Sequence, residues 1–223
     1  MQPRPTLAII GGTGALGTGL STRWALAGYP VVLGSRSREK AEGAARVIES
    51  GNGAPAVRGD DNAGAARAGD IIVIAVPYSS HDATLDEIAE GVAGKIVVDA
   101  VVPLVPPKVS QVQLPPQGSA AQAAQQRLGG KARVVAAFHN IAAAKLEAGR
   151  GVDCDVLVFG DYREARDAVI VLAEALGTRG VDGGVLANAV CGEALTAVLI
   201  AINRRYKIPG AGIRITGLPG ELS

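Results

Sequence analysis

The chain has 223 residues, 48% of them hydrophobic, and a formal net charge of +1. That length buries a sizeable core, as one large domain or as a domain with a small second lobe. The near-neutral balance leaves no electrostatic footprint for nucleic acid, and 30 glycines beside that apolar content suit a compact α/β protein rather than a disordered one.

The first element is the apolar run Leu7-Ala8-Ile9-Ile10, read as a buried strand. It is too short for the apolar region of a leader peptide. Gly11-Gly12-Thr13-Gly14-Ala15-Leu16-Gly17 follows and opens a helix over 15–26 that Gly28 ends. A strand, a G-x-G-x-x-G turn and a helix form the first half of a dinucleotide-binding βαβ unit. Gly12 is expected to take the tight turn, Gly14 to admit a pyrophosphate, and Gly17 to let the helix lie close to the sheet. The free N–H groups at the helix start suit an anion. Such turns also occur without a ligand, and here the flanking strand and helix favour a cofactor.

Val31-Val32-Leu33-Gly34 reads as the second strand, ending in Ser35-Arg36-Ser37-Arg38-Glu39-Lys40. A site for NAD places an acid about 20 residues past the glycine loop, on the ribose 2′-hydroxyl. No acid stands at this tip. Ser35, Arg36 and Lys40 suit a 2′-phosphate instead, which points to NADP. Cations at a helix start are unfavourable unless an anion meets them. Glu39 supports the helix start.

The second helix is expected over 38–48, ended by Gly51, with Val57 marking a short third strand and a helix over 61–67 stopped by Gly69. Ile71-Ile72-Val73-Ile74-Ala75-Val76 is continuously apolar, as in a parallel strand covered on both faces, and Pro77 breaks it. Ser79 or Ser80 is placed to cap a helix running to Glu90, and a strand follows over 95–99. This alternation is the doubly wound order. The segment 102–118 carries Pro103, Pro106, Pro107, Pro115 and Pro116 and reads as a long irregular loop near the strand ends.

Beyond it come a helix over 119–128, a strand over 133–138, a strand over 156–159 with Gly160-Asp161 at its tip, and an amphipathic helix over 164–176. Val181 marks an edge strand, 187–206 a long apolar helix ended at 209–212, and Ile213-Arg214-Ile215 a short final strand. The apolar stretch 194–202 lies between Glu193 and Arg204 and is too short to cross a bilayer, so it reads as a buried helix or a subunit contact. Cys154 and Cys191 have no metal or redox spacing and read as buried apolar residues in a reducing cytosol.

Ligands of open α/β sheets lie outside the carboxyl ends of the strands, at the switch point. The glycine loop, Ser35-Arg36, Val76-Pro77-Tyr78, Val102-Pro103-Leu104 and His139-Asn140-Ile141 should all end there. Val76 and Pro77 are expected to wall the cofactor. Tyr78 reads equally as a ring contact or as a partly buried surface residue. His139 reads either as a group that polarises a carbonyl or holds substrate, or as a histidine satisfied by backbone. His81, beside Asp82, reads as a surface residue. There is no Ser-His-Asp spacing, no metal-ligand cluster and no Tyr-x-x-x-Lys pair. That inventory favours direct hydride transfer between two bound rings, which needs mainly juxtaposition.

Several segments together resemble the coenzyme F420-dependent NADP oxidoreductase family. They are 7–17, Gly34-Ser35-Arg36 with Lys40, Val76-Pro77, Pro103-Leu104-Val105-Pro106, Gly118-Ser119-Ala120-Ala121, Phe138-His139-Asn140-Ile141-Ala142-Ala143, and Leu186-Ala187-Asn188 with Glu193-Ala194-Leu195-Thr196. The resemblance implies an α/β fold, a Rossmann-type doubly wound parallel sheet with a small, mainly helical C-terminal lobe. It implies a homodimer that transfers hydride between NADP and coenzyme F420, and the cysteine reading makes it cytoplasmic. Residues 1–150 would form the NADP-binding domain. Residues 151–223 would extend the sheet, add a helical lobe, and contribute to the substrate pocket and the dimer interface.

On the family pattern, Gly12, Thr13, Gly14, Ala15, Leu16 and Gly17 hold the pyrophosphate, and Ser35, Arg36 and Lys40 the 2′-phosphate. Val76 and Pro77 line the adenosine or ribose side. His139, Asn140 and Ile141 face the rings, with His139 and Ile141 as positioning residues. Val102, Pro103, Leu104, Leu186 and Asn188 border the second substrate. Departures fall where a His-Thr-Ile-Pro-Ala pattern is expected and His139-Asn140-Ile141-Ala142-Ala143 stands, in the proline-rich loop, and in Pro209-Gly210-Ala211-Gly212. Lys108, Arg204, Arg205 and Lys207 are candidate partners for an acidic coenzyme tail, or a solvated helix end. The altered loops keep open an NADPH-dependent reductase of a flavin or pterin, and the thin acid–base inventory keeps open a non-catalytic NADPH-binding sensor.

Overall fold

A computed structural model describes residues 3–52, 57–146 and 151–218. One eight-stranded sheet organises the chain, built from β1 (Leu7–Ile10), β2 (Val31–Ser35), β3 (Val57–Asp61), β4 (Ile71–Ile74), β5 (Ile96–Asp99), β6 (Arg133–Ala136), β7 (Asp155–Gly160) and β8 (Arg179–Asp182). Their order is β3-β2-β1-β4-β5-β6-β7-β8. The first six run parallel, β7 pairs antiparallel with β6, and β8 runs parallel to β7. The helices are α1 (Ala15–Leu26), α2 (Arg38–Asn52), α3 (Asn62–Ala68), α4 (His81–Ile88), α5 (Ala120–Leu128), α6 (Arg163–Glu174) and α7 (Ala189–Tyr206).

Side chains alternate across a strand, so each central strand feeds two cores. Leu7 and Ile9 join Leu20, Trp24, Ala41, Ile48, Val169 and Leu172, beneath α1, α2 and α6. Ala8 and Ile10 join Ala65, Leu85, Ile88, Ala124, Leu128 and Ala189, beneath α3, α4, α5 and the start of α7. Central strands buried on both faces explain the unbroken apolar runs in the sequence.

Several expectations change. β4 ends at Ile74, two residues early, because the chain peels away to cover the glycine loop, while the Ala75 N–H still reaches the Ile10 carbonyl at 2.8 Å. A 3₁₀ turn over Tyr78–Ser80 precedes α4, whose Ser80 makes no side-chain cap bond, and α4 stops at Ile88 rather than Glu90. α2 runs past Gly51 to Asn52.

Ile213-Arg214-Ile215 is not a strand. Its main-chain groups bond the Asp155 N–H, the Asp155 carboxylate and the Arg179 guanidinium, so no ladder forms. α7 is preceded by a 3₁₀ turn over Leu186–Asn188 and is closed by Lys207 in the left-handed region, φ 53°, rather than by the residues after Pro209. The segment Leu186–Tyr206, 21 residues, is long and apolar enough to cross a membrane by length and composition. Its Ala189, Gly192, Glu193, Ala197 and Leu199 are nevertheless buried against the rest of the protein. Cys154 is buried and Cys191 exposed, so only the first fits the buried reading. The expected division at residue 150 lies outside the described residues.

Candidate functional site

The turn after β1 is built by close backbone approach. Gly11, not Gly12, takes the left-handed conformation, with φ +82°, and a Cβ there would lie 2.7 Å from the Ala75 carbonyl oxygen. Gly12 lies in the same turn, and a Cβ there would stand 2.9 Å from both the Ile9 carbonyl oxygen and Leu33 Cδ2. Its N–H donates to the carbonyls of Ile9 and Gly34, each at 3.1 Å. Gly17 faces the loop from inside α1, and a Cβ there would sit 2.5 Å from the Gly11 oxygen. Gly14 is the N-cap residue and makes no side-chain cap bond. A Cβ on Gly14 would meet only the Gly11 oxygen, at 3.3 Å, so the space above it is open. The first N–H groups of α1 therefore point at an open cradle.

That cradle is one wall of a cleft of about 520 Å³ at the junction of β1 and β4. Thr13, Gly14, Ser35, Arg36, Lys40, Val76 and Pro77, all expected here from sequence, line it together. Ser37, Asn62, Ser80 and Thr84 line it too, and had not been foreseen. Ser37 lies within the basic run, and the sequence marks Ser80 only as a cap. Asn62 and Thr84 had no local signal, because they reach the cleft from α3 and α4.

Electrostatics separate the basic residues. Arg38 pairs with Asp60 and, at 3.1 Å, with Asp61, at the end of β3. Asp61 is held below its ordinary range by the Gly64 N–H and then by Arg38. Arg38 is thus spent on carboxylates. Among the described residues, Arg36 and Lys40 are paired with no carboxylate, and they face the cleft. A glycine cradle beside a serine and two unneutralised cations fits a dinucleotide with a 2′-phosphate.

A second group of residues gathers at the ends of β5 and β6. Phe138, almost fully buried, adopts φ 69°, an uncommon backbone for a bulky residue. Its ring meets Trp24 of α1 edge-on at 5.5 Å. This kink turns His139, Asn140 and Ile141 inward, each only 6% exposed. Burial pushes the His139 pKa down to about 4, so the ring is neutral at pH 7, and its Nε2 has no hydrogen-bond partner. The Asn140 amide donates to the Gly192 carbonyl at 3.0 Å. Thr196 Oγ1 donates to the His139 carbonyl at 2.9 Å.

His81 is not a surface residue. It is 1% exposed, and its Nε2 lies 2.7 Å from the buried Asp99 carboxylate. Burial opposes the charged ring, but Asp99 outweighs it and raises the His81 pKa. Glu193 is also fully buried and accepts from the N–H groups of Ala120 and Ala121. Burial pushes its pKa up to about 8, against the two backbone donors and with help from Asp99.

The remaining expected residues are not in the first cleft. Ala15 lines a shallower depression with Thr13, Thr18, Ala143 and Leu146, and Leu16 packs on the core. Ile141 and Leu186 are core residues, and Pro103 is buried between half-buried Val102 and Leu104. Asn188 is exposed and donates to the Gly183 carbonyl at 2.9 Å. Among the four basic tail candidates, Arg204 donates to Ser110 Oγ at 3.1 Å, joining the end of α7 to the proline-rich loop.

A parallel sheet with a glycine cradle and an acid-free basic tip at its switch point defines a Rossmann-type dinucleotide-binding protein. Residues 6–103 match the family model described as NADP oxidoreductase, coenzyme F420-dependent. The chain is 42% identical over 224 residues to the F420-dependent NADP reductase of Methanothermobacter thermautotrophicus, covering 96% of each. It is 39% identical to that of Methanocaldococcus jannaschii, covering 95% of this chain and 98% of that protein. A crystal structure of a candidate F420-dependent NADP-reductase from Arthrobacter sp. FB24 superposes with a TM-score of 0.81 at 26% identity, covering 95% of this chain and 99% of that one. The chain belongs to the F420-dependent NADP oxidoreductase family.

Proposed function

We propose that this protein transfers hydride between NADP(H) and the deazaflavin coenzyme F420. The observation that carries the reading is the cleft itself, with its glycine cradle and its unneutralised Arg36 and Lys40 beside Ser35. The dihydronicotinamide supplies a hydride and the deazaflavin accepts it; the chain supplies geometry. The α1 N–H groups hold the pyrophosphate. Ser35, Arg36 and Lys40 hold the 2′-phosphate and reject a cofactor without it. Val76 and Pro77 wall the ribose side.

His139, neutral and with an unpartnered Nε2, offers one hydrogen bond to a ring substituent. Val102, Pro103, Leu104, Ile141, Leu186 and Asn188 border the acceptor in this reading. The chain divides at residue 150 into a cofactor domain and a lobe that completes the pocket. It acts as a cytoplasmic homodimer, with neither nucleic acid nor membrane as partner. Exposed Val198 and Tyr206 on α7 support a subunit contact there.

The test is anaerobic mixing of the protein with NADPH and oxidised F420, following the visible absorbance of the deazaflavin. Rapid bleaching with NADPH and little with NADH is expected. No bleaching while calorimetry still detects NADPH binding would reject F420 as acceptor and turn attention to flavins, pterins or a sensing role.

A further inference from the structure

We infer that Glu193 is a positioning residue for the hydride-transfer edge, acting through the first turns of α7 on His139 and Asn140. The inference rests on the function proposed above for that edge. Its basis is a chain of contacts. Both carboxylate oxygens of Glu193 are occupied, one by the Ala120 N–H at 2.7 Å and one by the Ala121 N–H at 3.0 Å. These are the first two residues of α5, whose Ser119 side chain caps the Gln122 N–H at 3.0 Å. Glu193 therefore anchors α7 to the N-terminus of a second helix by accepting from two N–H groups that have no partner within that helix.

The residues around Glu193 hold the reactive edge. Gly192 presents its carbonyl to the Asn140 amide, and Thr196, one turn on, donates to the His139 carbonyl. Gly192 is also pressed against both rings behind it. A Cβ there would lie 2.8 Å from Phe159 Cε2 and 3.5 Å from His139 Nδ1. Asn188 makes no cap bond within α7, and its amide ties the start of the helix to the Gly183 carbonyl instead, at 2.9 Å. Glu193 thus fastens the second turn of α7, the part that keeps Gly192 and Thr196 on His139-Asn140. It also ties that edge to the end of the proline-rich loop, which leads directly into α5.

Removing the fastening should misplace the edge without touching the dinucleotide cleft, which Glu193 does not line. Glu193→Gln sets an amide donor against a backbone donor at one of the two positions. Thr196→Val removes only the bond to the His139 carbonyl and keeps the side chain's shape. Each variant should lower the single-turnover hydride-transfer rate by roughly 10–100-fold, with NADPH affinity by calorimetry within about twofold of the parent. The chain contains two histidines, His81 and His139, so long-range ¹⁵N–¹H spectra of histidine-labelled protein resolve both rings. His139 signals should move in both variants.

Unchanged transfer rates with unmoved His139 signals would overturn the inference, as would a matching loss of NADPH affinity, which marks general loosening. Should Glu193→Gln fail to fold, Thr196→Val alone decides. Absence of F420 reduction in the parent protein would reject the proposed acceptor, and the His139 spectra would still judge the positioning.

Discussion

Two glycine-to-alanine substitutions, both inside helices, should move the protein in opposite directions. Replacing glycine by alanine in a helix interior stabilises by about 1 kcal/mol where space allows. At Gly43 in α2 a Cβ meets nothing within 4 Å. Gly43→Ala should therefore raise the melting temperature by about 2–4 °C and leave NADPH affinity unchanged. At Gly17 in α1 the Cβ would stand 2.5 Å from the Gly11 oxygen and 2.9 Å from the Gly12 Cα, both main chain. Neither can rotate away as a side chain tip would. Overpacking at the upper end of its usual cost, about 3 kcal/mol, outweighs the helix gain.

The net loss of about 2 kcal/mol at Gly17 lowers the melting temperature by about 4–8 °C. The displaced loop is the proposed pyrophosphate cradle, so NADPH affinity should fall at least about tenfold. Thermal melts with and without NADPH, and calorimetric titration of both variants, measure these effects. Equal shifts of the same sign, or a Gly17→Ala variant that binds NADPH as the parent does, would refute the close-approach argument.

Arg36→Ala should weaken NADPH binding by about 1.5–3 kcal/mol while NADH changes little, as charged hydrogen bonds to a phosphate require; equal losses for both cofactors would remove the 2′-phosphate assignment. Asp99→Ala leaves the buried His81 ring without its partner at 2.7 Å and the Val101 N–H without its acceptor at 3.0 Å. A loss of about 3 kcal/mol or more, read by denaturant unfolding, is expected.

Stability should also depend on pH. The folded state holds a proton on Glu193 up to about pH 8, whereas the unfolded chain releases it near 4.5, so stability falls as pH rises through that window. His139, lowered to about 4, acts oppositely, favouring the fold above 6.5 and costing stability as pH falls toward 4. Above pH 6.5 the downward slope dominates, reinforced by the raised His81. Unfolding free energy should drop by about 2 kcal/mol between pH 6.5 and 8, and Glu193→Gln should flatten the curve. Identical slopes in the two proteins would dispose of the Glu193 contribution.

The cofactor half of the site was legible because it is local. Cradle glycines, the helix start and the Ser35-Arg36 tip lie within one βαβ unit, and parallel pairing brings them together with Val76 and Pro77. Which glycine bears the left-handed turn was not legible. That choice is made by Ala75 and Val76, some sixty residues away, whose approach presses on Gly11. The acceptor half was harder for the same reason. His81 and Asp99 are 18 residues apart, and Glu193 meets α5 across more than 70. Local pattern reads an acid or an imidazole near a helix start as solvated. Only the packed fold reveals that its partner is a distant carboxylate or a helix N-terminus.

The reversal at β7 had a similar origin, since an isolated apolar run such as Val156–Phe159 carries no direction. The antiparallel pairing is set by how the chain re-enters the sheet beside β6.

Trp24 is the single tryptophan of the chain. Its indole N–H donates to the Leu172 carbonyl at 2.9 Å, and its ring leans on Phe138. It therefore sits at the joint between α1, which follows the glycine loop, and the kinked segment that carries His139. The molecule has a built-in optical gauge at that joint. Intrinsic emission arises from one shielded indole with no competing signal from another, so a dinucleotide settling on α1 and a strain relaxing at Phe138 both become visible in solution without a label. Stopped-flow fluorescence of this one indole therefore lets the order of events, cofactor first or acceptor first, be followed in real time.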